Sequence, residues 1–267
     1  MNEYELGFVG VGVMASAIIK NVLKSDVCKK GIIIYDIDER KIEQFKGQAV
    51  DEARSASEIF ERAKISIICV KPQVYKEILN SVTQIKSTTV VSIMAGVKIA
   101  TLRLQFSPGT GIVRVMPNMP CKIGLGMTAI CADDVVSLAD LEIVKAVFGS
   151  CGRISILSES KFDAVTSISG SGPAYVYMFI DGLIKGGMAG GLTYEESKEL
   201  VIQTLNGSAE LARYSNETME ALVEKVCSKG GTTIEAVDYF REHRLIDIIE
   251  NGVKKCREKS KLLSDKF

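Results

Sequence analysis

The sequence predicts an α/β protein, with a doubly wound, mostly parallel sheet at the N-terminus followed by an all-helical C-terminal region. Three observations predict it. Leu6–Ala17 (LGFVGVGVMASA) reads as a buried strand, a glycine turn and the start of a helix. Short apolar runs then recur, separated by helical patterns, as in a sheet buried on both faces. After Leu157 no strand pattern remains. The change of pattern divides the chain into residues 1–158 and 159–267.

The bulk composition fits two ordinary soluble domains. The chain has 267 residues, 46% of them apolar, and its 33 basic and 33 acidic residues balance. That balance favours neither nucleic acid nor an anionic membrane as partner. The N-terminus has Glu3 and Glu5 ahead of its apolar run and no basic segment, unlike a signal peptide. The longest apolar stretch, from Ala174 to Leu192, is interrupted by Asp181, Lys185 and several glycines, which disfavours a membrane span. Seven cysteines are scattered without a C-x-x-C pair. Reduced thiols in a cytoplasm are expected, with no disulfide framework and no metal site.

Gly10, Gly12 and Ala15 fit G-x-G-x-x-[GA], the Rossmann dinucleotide fingerprint. Gly10 permits the tight turn, Gly12 lets the backbone approach a pyrophosphate, and Ala15 lets the helix pack close to the strand. The first helical N–H groups then face the phosphates. Ile32–Tyr35 is the second strand, and Asp36 follows it about two dozen residues beyond the turn. There a carboxylate can accept from a ribose 2′-OH, which favours NAD, or it can cap the helix that starts near Glu39. Arg40 beside it could pair a 2′-phosphate instead, so the nucleotide preference stays open.

The third strand, Ile65–Val70, follows a short helix at Ser57–Arg62 and ends in Lys71-Pro72-Gln73. Pro72 stops the strand and leaves Lys71 at the carboxyl edge, where open parallel sheets bind ligands. Val90–Met94 ends in Ala95-Gly96, and Ile112–Val115 in Met116-Pro-Asn-Met-Pro120. Gly126–Cys131 and Gly152–Leu157 complete the strands around an amphipathic helix at Leu138–Phe148. Repeated loop chemistry on one edge favours a cofactor crevice.

The second half opens with Gly170-Ser-Gly-Pro173 into a helix from Ala174 to about Met188. That helix is apolar nearly all round. Asp181 and Lys185, four apart, can pair, and the rest needs cover, so a partner subunit is expected. Thr193-x-x-Glu196 forms a capping box for a helix through about Arg213, and another helix spans Met219–Val226. Ser228-Lys-Gly-Gly-Thr-Thr233 is a donor-rich loop before a helix at Ile234–Phe240. Its exposed N–H groups suit a carboxylate, although Thr232 and Glu235 could form a simple capping box. The last helix runs from about Ile246 to Leu262. His243, the one histidine, lies in a charged stretch and is expected on the surface.

With these segments in place, the chain closely resembles the pyrroline-5-carboxylate reductase family over nearly its whole length. The resemblance rests on Phe8-Val-Gly-Val-Gly-Val-Met-Ala15, Val70-Lys-Pro-Gln73, Arg114-Val-Met-Pro-Asn-Met-Pro120, Ser169-Gly-Ser-Gly-Pro-Ala-Tyr175 and Gly230-Gly-Thr-Thr-Ile234. It implies a Rossmann domain, a helical domain that interleaves with a second subunit, and a homodimer that can assemble into a ring of dimers. It also implies reduction of 1-pyrroline-5-carboxylate to L-proline by NADPH or NADH, the last step of proline biosynthesis.

By the same resemblance Gly10, Gly12, Val13 and Met14 fall in the pyrophosphate turn, and Val70, Lys71, Pro72, Ala95 and Gly96 beside the cofactor. Glu159, Gly230, Gly231, Thr232 and Thr233 fall at substrate positions, with the Thr233 hydroxyl near the ring nitrogen as the catalytic contact. Three positions depart from the family pattern: Val13 and Ala56 stand where Asn is common, and Lys229 replaces a Pro. The rival readings are a related imine or β-hydroxyacid oxidoreductase using Lys185 as proton donor, and a nucleotide-binding sensor without turnover.

Overall fold

The computed structural model describes residues 2–266 and divides into two compact units. One runs from the N-terminus to Pro173 and takes in the chain again from Cys256; the other is Ala174–Lys255.

In the first unit eight strands form one sheet: β1 (Tyr4–Val9), β2 (Ile32–Tyr35), β3 (Val50–Glu52), β4 (Ala63–Ile68), β5 (Thr89–Ser92), β6 (Gly111–Met116), β7 (Gly126–Ala132) and β8 (Gly152–Ile156). Their order is β3-β2-β1-β4-β5-β6-β7-β8, and only the β6–β7 pair is antiparallel. The order reverses beside β1, the switch point at which doubly wound sheets bind ligands outside the strands' carboxyl ends. β3 lacks the apolar run that marks its neighbours: Val50, Asp51 and Glu52 are half-buried or exposed at the sheet edge, which is why sequence pattern missed it.

Alternation within the strands builds a core on each face. Leu6, Phe8, Ile32, Ile34, Ile65 and Ile67 pack with Ile18, Ile19 and Val22 of α1 (Val13–Leu23) and with Val144 and Phe148 of the helix Leu138–Gly149. Val9, Ile33, Ile68, Val90 and Ile112 pack against the other face with Ile59, Phe60, Tyr75 and Leu102. The helices on that face are brief, Ala56–Arg62, Tyr75–Asn80 and Ile99–Arg103; the last two carry too few turns to show a period in the sequence. With α2 (Glu39–Glu43) these are α3, α4 and α5 in chain order, and Leu138–Gly149 is α6.

The expected helix at Leu138–Phe148 carries a buried polar tie. Asp140 accepts from Lys64 Nζ at 2.6 Å and from the hydroxyls of Thr88 and Thr89 at 2.6 and 2.8 Å, joining α6 to β4 and β5. Burial alone would raise its carboxyl, but Lys64 and the two threonines hold it below the usual carboxylate range.

From Glu159 onward the chain is helical. A short helix, α7 (Phe162–Val165), runs into a π turn at Thr166–Gly170. Then come α8 (Gly172–Ala189), α9 (Tyr194–Tyr214), α10 (Met219–Val226), α11 (Thr232–Glu242) and α12 (Leu245–Ser264). The Thr193–Glu196 capping box forms in both directions, and Lys185 Nζ meets Asp181 Oδ2 at 2.6 Å. α8 buries only Ile184 in this chain; Val176, Tyr177, Met178 and Phe179 are exposed, Met178 by 76%. Such an exposed apolar face calls for cover by another chain.

Candidate active site

The glycine turn lies at the carboxyl end of β1, and its two glycines have different reasons to be glycine. Gly10 has φ +92°, and a Cβ there would meet Val70 Cγ1 at 2.8 Å. The fold itself therefore requires it. Gly12 has an ordinary φ of −73°, and a Cβ there would meet nothing within 4 Å. Nothing in the fold demands glycine at that point; open space next to a helix start does suit a ligand's phosphates. Gly12 is the N-cap of α1 and no side chain caps it, so the first-turn N–H groups of Val13 and Met14 have no side-chain acceptor there. Val13 is 58% exposed. These features fit a dinucleotide, held by the turn and the α1 N-terminus.

The cleft beside the turn has a volume of about 280 Å³, and Gly10, Gly12, Asp36, Lys41, Val70 and Lys71 lie along it. Val70 and Lys71 thus share a cleft with the glycine turn. Cys69 forms part of the wall, and burial pushes its thiol up, so it stays protonated.

Asp36 also lies on this cleft, but its carboxylate is engaged otherwise than expected. Oδ2 accepts from Val11 N at 2.7 Å and Oδ1 from Asp38 N at 2.9 Å, while Lys41 Nζ sits 3.1 and 3.3 Å from the two oxygens. A carboxylate has about four acceptor positions, and these donors fill them. Asp36 therefore clamps the glycine turn, and a ribose hydroxyl can bond it only by displacing a donor. Nor does it cap the helix near Glu39; the N-cap of α2 is Asp38, without a side-chain bond. Arg40 is likewise engaged, through Nε and Nη2 on Asp38. Lys41 is the residue the sequence reading passed over. Its signal was position, five residues beyond Asp36 in the first turn of α2 and so able to reach back to it.

Glu159 and Gly96 carry contacts that the sequence pattern does not reveal. Glu159 Oε1 accepts from Ile99 N at 2.7 Å and Arg114 Nη1 at 3.0 Å. Arg114 is 5% exposed and stacks on Phe162, 4.8 Å from the ring centre. The carboxylate thus neutralises a buried guanidinium and caps α5, where a substrate contact had been expected. Gly96, with φ +81°, is approached by the end of α12: a Cβ there would lie 3.5 Å from Leu263 and Ser264 backbone. Its small size serves that helix. Ser260 and Ser264 hydroxyls donate to Asp163 Oδ1 and hold the helix end in place.

In the second unit the Gly230–Thr233 loop opens α11. Gly230 has φ +71°, and Gly231 is the N-cap without a side-chain bond. The capping box of Thr232 and Glu235 does not form, because Thr232 is already the first helical residue and lies past the cap position. Among the described residues the Thr232 and Thr233 hydroxyls make no hydrogen bond within the chain; Thr233 is half-buried and Thr232 exposed. His243 ends α11 on the surface, its ring stacked on Tyr239. Lys185, the proton donor of the rival reading, is engaged by Asp181.

Known proteins place this arrangement. Residues 159–263 match the family model described as pyrroline-5-carboxylate reductase dimerisation. Over 98% of the chain and 99% of its own length, the Escherichia coli pyrroline-5-carboxylate reductase is 33% identical. The chain belongs to the pyrroline-5-carboxylate reductase family. Pyrroline-5-carboxylate reductase 2 of Bacillus subtilis is 32% identical over 98% of this chain and 96% of its own. Residues 5–96 match the NADP oxidoreductase, coenzyme F420-dependent model. The crystal structure of the Plasmodium falciparum pyrroline carboxylate reductase with NADP bound superposes with a TM-score of 0.89 at 33% identity, covering 99% of both chains. As a family member the chain is an NAD(P)H-dependent oxidoreductase and carries the family's dimerisation region. No helix among the described residues is long and apolar enough to cross a membrane.

Proposed function

We propose that this reductase converts 1-pyrroline-5-carboxylate to L-proline with the residues described above, as a cytoplasmic homodimer able to build a ring of dimers. The exposed apolar face of α8 supports the self-association. When bound, NADPH or NADH supplies the hydride for the imine carbon. The turn Gly10–Met14 holds the pyrophosphate through backbone N–H groups, with Val70, Lys71 and Pro72 at the next strand end and Ala95-Gly96 at the one beyond.

A cyclic iminium accepts hydride readily, so the protein's work is orientation and charge matching. The amides of Gly230, Gly231 and Thr232 hold the substrate carboxylate at the start of α11. The Thr233 hydroxyl accepts from the protonated ring nitrogen. A neutral threonine is a poor acid, so it orients the ring and does not supply the proton outright.

The observation that carries this reading is the pair of free hydroxyls at an uncapped helix start, in a loop whose backbone geometry needs Gly230. The experiment is Thr233→Ala, with turnover followed by loss of reduced-nicotinamide absorbance and proline detected as product. We expect kcat/KM to fall by roughly ten- to a hundredfold, the scale of one lost polar contact to a reacting group, with the circular dichroism spectrum unchanged. Unchanged kinetics would remove Thr233 from the site.

A further inference from the structure

The cleft beside the glycine turn has a charge arrangement that the usual strand-end rule does not describe. By that rule an acidic residue after the second strand selects NAD and repels the extra phosphate of NADP. Here the Asp36 carboxylate is only 8% exposed and saturated by Val11 N, Asp38 N and Lys41 Nζ. Its charge is matched on the spot by the lysine. Lys41 itself is 43% exposed. It lies on the cleft that holds Gly10 and Gly12, and also on a second cleft, of about 550 Å³, along the outer side of α1.

The two nearby arginines are less well placed. Arg40 is 86% exposed, forked onto Asp38, and borders neither cleft. Arg54 lies on a neighbouring groove with Glu39 and Glu52, whose carboxylates oppose a phosphate.

We propose that Lys41 is the residue that sets nucleotide preference in this enzyme, giving it use of NADPH despite Asp36. The proposal rests on the reading that the dinucleotide lies along the glycine-turn cleft. A 2′-phosphate takes the ammonium of Lys41, with Asp36 still held by two backbone N–H groups. A bare ribose 2′-OH must compete with the same lysine for Asp36. Removing the lysine therefore acts twice against NADPH: a cation is lost, and the Asp36 charge beneath it is uncovered. Against NADH the loss is offset, because Asp36 gains a free acceptor position.

The test is Lys41→Ala in the full-length protein, with dissociation constants for NADP+, NAD+ and 2′,5′-ADP measured by calorimetry, and the ratio of kcat/KM for NADPH and NADH beside them. One charge-assisted hydrogen bond corresponds to roughly a ten- to hundredfold loss. We expect that weakening for NADP+ and 2′,5′-ADP, with NAD+ changed by less than about threefold. Lys41→Arg should restore most of the loss, and Arg40→Ala should leave all three constants where they were. Equal weakening of NADP+ and NAD+ by Lys41→Ala would show that the lysine only braces the turn. No change at all, or a selective NADP+ loss in Arg40→Ala, would also overturn the assignment. Gly12→Val separates the underlying reading: binding that survives it moves the dinucleotide out of this cleft, and the Lys41 proposal falls with it. If Gly12→Val abolishes both nucleotides while Lys41→Ala is unselective, the cleft stands and only the selector is wrong.

Discussion

Replacing Glu159 distinguishes a residue that holds the fold from one that holds the substrate. Its Oε1 accepts from the first-turn N–H of α5 at Ile99 and from Arg114, whose guanidinium is 5% exposed. Glu159→Ala removes both bonds and leaves a buried cation stacked on the Phe162 ring. Breaking such a pair from one side costs about 3–5 kcal/mol when burial is complete. Glu159 is 28% exposed, so water can enter where the carboxylate was, and about 2–4 kcal/mol is expected. At about 2.1 cal/mol/K per residue, a loss of 3 kcal/mol lowers Tm by about 5–8 °C, depending on how much of the chain unfolds together.

Glu159→Gln keeps an acceptor for Ile99 and loses only the charge, for about 1–2 kcal/mol. Arg114→Met on the Glu159→Ala background removes the stranded cation and should recover most of the loss. The assay is thermal and urea unfolding at fixed protein concentration, since a dimer's stability depends on it, with kcat/KM measured well below Tm. A Glu159→Ala protein that melts like the parent but loses kcat/KM tenfold would refute this reasoning and return Glu159 to the substrate.

Two further results are expected. Gly12→Val should fold with unchanged Tm, because a Cβ there meets nothing, and should lose NADP+ and NAD+ binding; Gly10→Val should unfold more readily, because its φ is positive and Val70 and Cys69 crowd it. For Asp140 the folded carboxyl lies below its unfolded value, so the unfolded chain binds more protons as pH falls past about 4. Its contribution is present above that pH and is lost as pH drops through the folded value; Asp140→Ala should cost about 3 kcal/mol at pH 7 and progressively less as pH is lowered below about 4, measured by urea unfolding across that range.

Elements with long periods were legible from the chain. The boundaries of α10 coincide with the expected Met219–Val226, and the capping box placed the start of α9. The glycine turn, too, was legible, since strand, turn and helix are consecutive in sequence and each residue's role there is local. Less legible were β3, α4 and α5, which have at most six residues each and no run long enough to average over.

The division between the two kinds of information follows chemistry. By itself the sequence determined the alternation of strands and helices, the nucleotide-binding turn, the donor-rich Gly230–Thr233 loop and the need for a partner over α8. All of these depend on neighbours along the chain or on composition of one helix. Only the tertiary structure decided what the carboxylates do. Asp36 and Glu159 carry the right group at the expected positions, but which donors reach them depends on Val11 lying 25 residues from Asp36 and on Arg114 and Ile99 lying 45 and 60 residues from Glu159. An acceptor's role is set by whichever donors arrive within about 3 Å, and the chain order of residues does not contain that distance.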